Sequence, residues 1–493
     1  MKEKDLKQVA ASSMVWVAVQ KYIILGMTFF SSIILARLLT PYDYGCIGML
    51  TIFISVSNTL IDSGFGSALL QKKRPTQEDY STIFYWNIAV STILYFVLFF
   101  AAPAIASFYK IPLLRDVLRV QGLVLFINAF KLIQSNQLRK QFRFKITSTV
   151  TIYSSFISIV TTIILAYLGF GVWALVAQNL LIAFLPMISF WIITKWRPLL
   201  CFSMKSFKEL FNFGIFMLMT SVVDTFSRSI QGLLIGKFYS PSTLGYYSKA
   251  WTTEQLASNG ISQVVSTVTY QLYAEVQDNL TVLANMIKRL TMSLAYVTFP
   301  LIITLIIIAK PLFIILYSER WLPSVSYFQV LAFAGFAICM SSVNLFAIAA
   351  IGKSRTMFTW NLLKRGFGIS VIFLGLLLWG MRGLLLAAVA TQWFMYLVNC
   401  WLVSKHIGYK MKTQAQNLAP IMILAAVSFV PSFLFGYFTN LNMYADGIIR
   451  MLIFLGLYFG LSAFLKLEAY EYAKSLIPVF FKKFKRGKKA KKE

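Results

Sequence analysis

The chain has 493 residues, of which 58% are hydrophobic, 16% aromatic and only 13% charged, with 46 Lys and Arg against 17 Asp and Glu. Soluble domains carry about 25% charged residues, so a soluble multidomain enzyme is excluded and the apolar surplus must face lipid. The net charge of +29 would point to nucleic acid in a soluble protein, but in a membrane protein it is what Lys- and Arg-rich cytoplasmic loops produce.

A spanning helix needs roughly 20 apolar residues. About fourteen stretches qualify: 14–36, 45–70, 82–104, 117–138, 147–168, 171–194, 212–236, 245–273, 290–309, 325–351, 357–379, 384–404, 416–438 and 446–466. The connections are too short for a folded domain, which places the expected function inside the membrane. The first stretch is too long for the apolar core of a cleavable signal. With the N-terminus in the cytoplasm, thirty of the 46 basic residues fall on that side and seven on the other. This bias predicts an even number of spans with both ends cytoplasmic. Cys46, Cys201, Cys339 and Cys400 have no metal-ligand spacing, and His406 is a loop residue.

The first connection carries a motif that returns. Ala36-Arg37-Leu38-Leu39-Thr40-Pro41-Tyr42-Asp43-Tyr44-Gly45 recurs 200 residues later as Gly236-Lys237-Phe238-Tyr239-Ser240-Pro241-Ser242-Thr243-Leu244-Gly245. A fainter echo pairs Gly169-Phe170-Gly171-Val172 with Gly380-Met381-Arg382-Gly383-Leu384. The chain therefore reads as two six-helix lobes, residues 1–200 and 201–412, in parallel repeat about an axis along the membrane normal. Two further helices (413–466) and a basic tail (467–493) follow. The expected fold class is an all-α polytopic membrane protein.

Charged side chains inside spans cost about 2.5–3.5 kcal/mol on insertion scales and mark bundle interiors or hydrated cavities. Span 1 carries Lys21. In span 2, Thr51, Ser55, Asn58 and Asp62 share one helical face; in span 4, Gln121, Asn128 and Ser135 do so, with Lys131 on the same side. Span 7 places Asp224 and Arg228 four apart, a favourable ion-pair order. Span 8 carries Lys249, Glu254, Asn259, Gln263 and Ser266, and span 11 carries Lys364 and Arg365. Snorkelling from a span end is the competing reading for Lys249, Lys364 and Arg365, and interhelical hydrogen bonding for any single stripe. Four stripes split between the two halves favour a shared cavity. Lys21, Lys131, Lys364 and Arg365 lie at similar depth from the cytoplasmic side, roughly 10–12 Å, and a basic ring there suits an anionic cargo such as a phosphate group. Asp62 and Glu254 could pair as carboxylates, but they fall in different halves.

At this point the motifs resemble those of bacterial polysaccharide exporters of the Wzx type. The residues concerned are the 36–45 run, Asp62-Ser63-Gly64-Phe65-Gly66-Ser67-Ala68-Leu69, Leu138-Arg139-Lys140-Gln141-Phe142-Arg143-Phe144-Lys145, Phe170-Gly171-Val172-Trp173-Ala174-Leu175, Leu244-Gly245-Tyr246-Tyr247-Ser248-Lys249-Ala250 and Arg320-Trp321-Leu322-Pro323. They are most similar to the subgroup that includes colanic acid and teichuronic acid exporters. The resemblance implies the multidrug/oligosaccharidyl-lipid/polysaccharide exporter fold in the bacterial cytoplasmic membrane. It implies as cargo an oligosaccharide repeat unit on undecaprenyl pyrophosphate, moved between leaflets for lipopolysaccharide or exopolysaccharide synthesis. It implies no cofactor and, in several members, coupling to a proton or sodium gradient. The expected partners are this lipid-linked oligosaccharide, membrane lipids at the basic loops and tail, and other polysaccharide-assembly proteins, with no nucleic acid. Lys21, Lys131, Lys364 and Arg365 are then the pyrophosphate ligands, with Asp62, Asn128, Asp224, Arg228 and Glu254 lining or gating the path. Gln231 stands where relatives often carry Asp, so Asp224 is the candidate to replace it in ion coupling. Two other readings stay open: a drug or cation antiporter of the same fold, and a membrane polysaccharide polymerase.

Overall fold

The structure is a computed structural model that describes residues 3–62, 64–439 and 441–471. The basic tail from 472 onward lies outside the described residues, as do the side chains of Asn259, Gln263 and Ser266. Among the described residues the regular structure is helical throughout. Ten helices are long and apolar enough to cross a membrane, eleven if the bent pair Met204–Asn212 and Met217–Phe238 is one span. The protein is a multi-pass membrane protein.

The chain divides into two units, Met1–Ser248 and Lys249–Glu493. The first holds α1 (Glu3–Leu38), α2 (Pro41–Asp62), α3 (Phe65–Gln71), α4 (Gln77–Tyr109) and α5 (Leu113–Gln121). It continues with α6 (Leu123–Lys140), α7 (Phe144–Tyr167), α8 (Val172–Thr194), α9 (Met204–Phe238) and the start of α10 (Pro241–Glu275). In this unit α1 packs on α7, α7 and α6 pack on α8, and α9 lies along α2, α3 and α4. The second unit holds the rest of α10, then α11 (Leu280–Ile307), α12 (Ala309–Tyr317), α13 (Pro323–Ala350), α14 (Ser354–Ile407), α15 (Met411–Phe438) and α16 (Met443–Phe464). There α13 packs on α14 and α11, and α15 packs on α16 and α11.

Every predicted stretch is helical, but two are interrupted, each at a glycine, and a third glycine kinks the helix that joins two stretches. The second breaks at Gly64, whose φ of 70° suits a residue without a β-carbon. The fourth breaks at Gly122, where a β-carbon would press on the Tyr95 ring. α14 spans both the eleventh and twelfth stretches and breaks at Gly380, with φ of 60°. Helices α6 and α10, which carry polar stripes, are not among the ten apolar enough to span alone.

The repeated motif folds the same way twice. α1 and α2 are joined by Leu39 and Thr40, α9 and α10 by Tyr239 and Ser240, and Pro41 and Pro241 open the second helix of each pair. Proline fits there because the first helical N–H has no intrahelical partner to lose. Thr40 and Asp43 cap each other: the Asp43 amide donates to Thr40 Oγ1 at 3.3 Å and the Thr40 amide to the Asp43 carboxylate at 2.8 Å. In the second copy the Thr243 amide donates to Ser240 Oγ at 3.2 Å. The two helix starts then cross. A β-carbon on Gly45 would overlap the Pro241 carbonyl, and one on Gly245 would overlap the Pro41 carbonyl. Both glycines are therefore required by the same reciprocal backbone contact. Cys46, the next residue, is fully buried.

At the other end of α2 the short helix α3 is pinned from several sides. A β-carbon on Gly64 would overlap the Gly214 carbonyl of α9. The Phe65 ring packs against Trp86, Phe207 and Phe211. Lys140 Nζ donates to the carbonyls of Leu69 and Leu70 at 3.0 and 3.1 Å and to that of Lys72, covering the negative end of α3. Lys72 in turn bridges Asp79 and Glu209 at 3.1 and 3.0 Å. Burial alone would lower the Lys72 pKa, but the Glu209 and Asp79 carboxylates outweigh it and hold the ammonium above its ordinary value.

Candidate functional site

The pinned α3 closes one side of a polar cavity of about 310 Å³ in the first unit, walled by α2, α3 and α6. From α2 come Asn58 and Asp62, the last two members of the stripe beginning at Thr51. From α6 come Asn128, Lys131, Ser135 and Arg139, spaced three, four and four, so that all four fall on one helical face. The deep end is fixed by a cross-helix hydrogen bond, Asn128 Nδ2 to Asn58 Oδ1 at 2.9 Å. On a neighbouring flank α2 is tied to α9 by Thr59 and Thr225, whose hydroxyls lie 3.0 Å apart.

Asp62 sits exposed at the C-terminal end of α2, and the Gly66 amide donates to it. A β-carbon on Gly66 would lie 2.9 Å from Asp62 Oδ1 and 3.2 Å from Asn136 Nδ2, so glycine is what lets α3 approach both groups. Lys131 is half-buried. Among the described residues neither Lys131 nor Arg139 forms an ion pair, although Arg139 acts electrostatically on both Asp62 and Lys131. The cavity thus presents two cations and one carboxylate, all with unfilled hydrogen-bonding capacity. It can take up an anionic group, and among these three charges there is no nucleophile–base pair.

Asp62, Asn128 and Lys131 are therefore brought together, as their stripes predict. The other candidates lie elsewhere. Lys21 is exposed on α1. Asp224 and Arg228 pair at 2.8 Å on α9 and do not line this cavity. Gln231 accepts a hydrogen bond from Tyr247.

In the second unit, Glu254 is 2% exposed. It accepts from Ser258 Oγ and from Gln255 Nε2, the latter at 2.8 Å, with Gly335 of α13 packed directly over it. Lys364 is 4% exposed, its Nζ donating to Asn399 Oδ1 at 2.7 Å, while Asn399 Nδ2 donates to Ser341 Oγ at 2.6 Å. Arg365 beside it is half-buried. Lys249 does not snorkel: it is 5% exposed, with its Nζ 4.2 Å from the Tyr317 ring centre. Two concave spaces among the described residues of this unit are lined by none of these residues. One is an apolar groove of about 340 Å³ along α11 and α16, and the other a niche containing Arg289 and Glu468.

Sequence reasoning missed Arg139, Asn136 and Gly66 as parts of the site. Arg139 carries a sequence signal, since it continues the α6 face two turns beyond Lys131, but a basic residue at a span end is also what membrane topology alone requires.

Residues 34–326 match the family described as polysaccharide biosynthesis protein. The chain is 26% identical to the teichuronic acid biosynthesis protein TuaB of Bacillus subtilis (strain 168), over 77% of this chain and 79% of that one. It is 20% identical to the succinoglycan biosynthesis transport protein ExoT of Rhizobium meliloti (strain 1021), over 71% of each chain. Among solved structures it resembles the lipid II flippase MurJ in an inward closed conformation, with a TM-score of 0.73 at 14% identity, covering 92% of this chain and 98% of that one. The last likeness establishes a shared fold, and the family match covers more than half of the sequence. The chain belongs to the polysaccharide biosynthesis protein family, as its resemblance to Wzx-type exporters implied.

Proposed function

We propose that this protein is a flippase that carries undecaprenyl-pyrophosphate-linked oligosaccharide repeat units from the cytoplasmic to the outer leaflet of the bacterial cell membrane. The observation that carries this reading is the α2–α6 cavity, where Lys131 and Arg139 stand without ionic partners beside polar hydrogen-bonding groups. A charged, hydroxyl-rich headgroup cannot cross hydrocarbon unaided. A hydrated basic cavity lowers that cost, while the lipid tail stays in the bilayer. The names of the relatives, a biosynthesis protein and a transport protein for bacterial polysaccharides, support the same cargo class. The 30-to-7 distribution of basic residues supports cytoplasmic termini.

In this reading the chain works as two six-helix lobes followed by two helices, alternately opening to each side. Lys131 holds the pyrophosphate in the lobe described above. Lys21, Lys364 and Arg365 serve it in a later state, Lys364 after release from Asn399. Asp62 and Asn128 shape the path, while Asp224, Arg228 and Glu254 gate it or couple it to an ion gradient. A cation antiporter fits less well, because a net-positive cavity repels its cargo. A polymerase is disfavoured by the short connections.

The discriminating observation is the precursor that accumulates on deletion of the gene. Repeat units confined to the inner leaflet are expected. Accumulation in the outer leaflet would instead indicate a polymerase.

A further inference from the structure

The two cations of the cavity are not equivalent. Lys131 lies beside the Asn128–Asn58 hydrogen bond and is half-buried, whereas Arg139 is exposed in the last turn of α6. Eight residues separate them on one helical face, roughly 12 Å along the axis. The two side chains therefore leave the helix at different levels, with their charges near enough to act on one another, and an anion moving along this face meets them in succession. An anion entering from the Arg139 end meets the guanidinium first, and a guanidinium offers phosphate oxygens two parallel donors. Beyond it stands Asp62, fixed by the Gly66 amide and repelling the same anion.

We infer that Arg139 is the capture residue for a prenyl-linked diphosphate, Lys131 the holding residue, and Asp62 the counter-charge that keeps the held cargo releasable. This rests on the flippase reading and adds an order of events to it. A charge at the rim of a site governs association rate and its salt dependence, whereas a desolvated charge inside governs dissociation. The three residues should therefore separate kinetically. A uniform basic lining would give the same response at both positions, and a purely structural Arg139 would give none.

The test uses the full-length protein in nanodiscs and a short-chain prenyl diphosphate as ligand, with inorganic pyrophosphate in parallel. Association and dissociation rates are read by tryptophan fluorescence at low and high salt. For Arg139→Ala the association rate at low salt should fall on the order of tenfold, with the difference closing at high salt and dissociation little changed. Arg139→Lys should recover most of the rate. Lys131→Ala should speed dissociation while leaving association near wild type, and Asp62→Asn should slow dissociation. Tighter binding of the prenyl diphosphate than of pyrophosphate would identify the lipid headgroup as the source. Equal or tighter pyrophosphate binding would contradict a lipid cargo.

An Arg139→Ala protein with wild-type association, or with a rise in dissociation matching that of Lys131→Ala, would overturn the capture role while leaving the flippase reading intact. Failure of the wild-type protein to bind prenyl diphosphate would overturn both.

Discussion

Gly45→Val is expected to disable the protein while leaving it folded, and to expose Cys46. The first residues of α2 and α10 meet backbone to backbone, and a side chain on Gly45 can only be accommodated if the Pro241 carbonyl moves away. Overpacking of this kind costs typically 1–3 kcal/mol. In the proposed alternating cycle, that cost falls on whichever state keeps the two turns together. A change of 1.4 kcal/mol shifts such an equilibrium about tenfold. Cys46 is 0% exposed and adjoins the contact, so its alkylation by maleimide, mapped by peptide mass spectrometry, reports the opening directly. The expected result is a rise of about tenfold or more. Gly245→Val should do the same, and the double variant should be little worse than either alone, because both changes break one contact. Unchanged Cys46 reactivity in a folded Gly45→Val protein would remove the crossing from the transport cycle.

The second large effect is expected at Lys131. In the proposed complex Lys131 and the held diphosphate form a desolvated charge contact, and truncating one partner of such a contact costs at least about 2 kcal/mol, roughly thirtyfold. Lys131→Ala should therefore cut polysaccharide export by at least about that factor, with membrane protein levels unchanged by immunoblot. Lys131→Glu should abolish export, since it leaves two carboxylates facing the cargo and only Arg139 to offset them. Lys131→Arg should retain part of the activity because it keeps the charge. Export at wild-type level in Lys131→Ala would show that the cargo does not use this cavity.

Much of this arrangement could be read from residue order alone, because the signals involved are local. Apolar length marks the helices. The Thr/Ser-Pro-x-x-x-Gly repeat marks two equivalent turns, and its proline and glycine each have a geometric reason that the structure supplies. The 4–3–4 spacing from Thr51 to Asp62 and the seven-residue spacing around Asn128 predict two polar faces, and the later parts of these faces, Asn58 with Asp62 and Asn128 with Ser135, do meet.

What could not be read is which way a polar residue faces when its helix is surrounded on several sides. Depth placed Lys364 level with Lys131, yet its ammonium turns into the second unit toward Asn399. Periodicity gives a face, and the identity of the neighbour on that face comes only from packing. The breaks at Gly64 and Gly122 escaped for a similar reason. A glycine within an apolar run does not by itself interrupt a helix, and here the Gly214 backbone and the Tyr95 ring decide the matter. Arg139 is hidden for a different reason: a basic residue near a span end serves topology and chemistry alike.

Leaflet transfer by the purified protein is the measurement on which the flippase reading stands or falls. Proteoliposomes carrying a fluorescent undecaprenyl-pyrophosphate-linked sugar on both leaflets would be challenged with an external reagent that reacts only with the outer-leaflet headgroup. Wild-type protein is expected to make the inner-leaflet pool accessible within minutes, and Lys131→Ala vesicles to resemble protein-free ones. Wild-type vesicles that keep half of the label protected, as protein-free vesicles do, would contradict that reading.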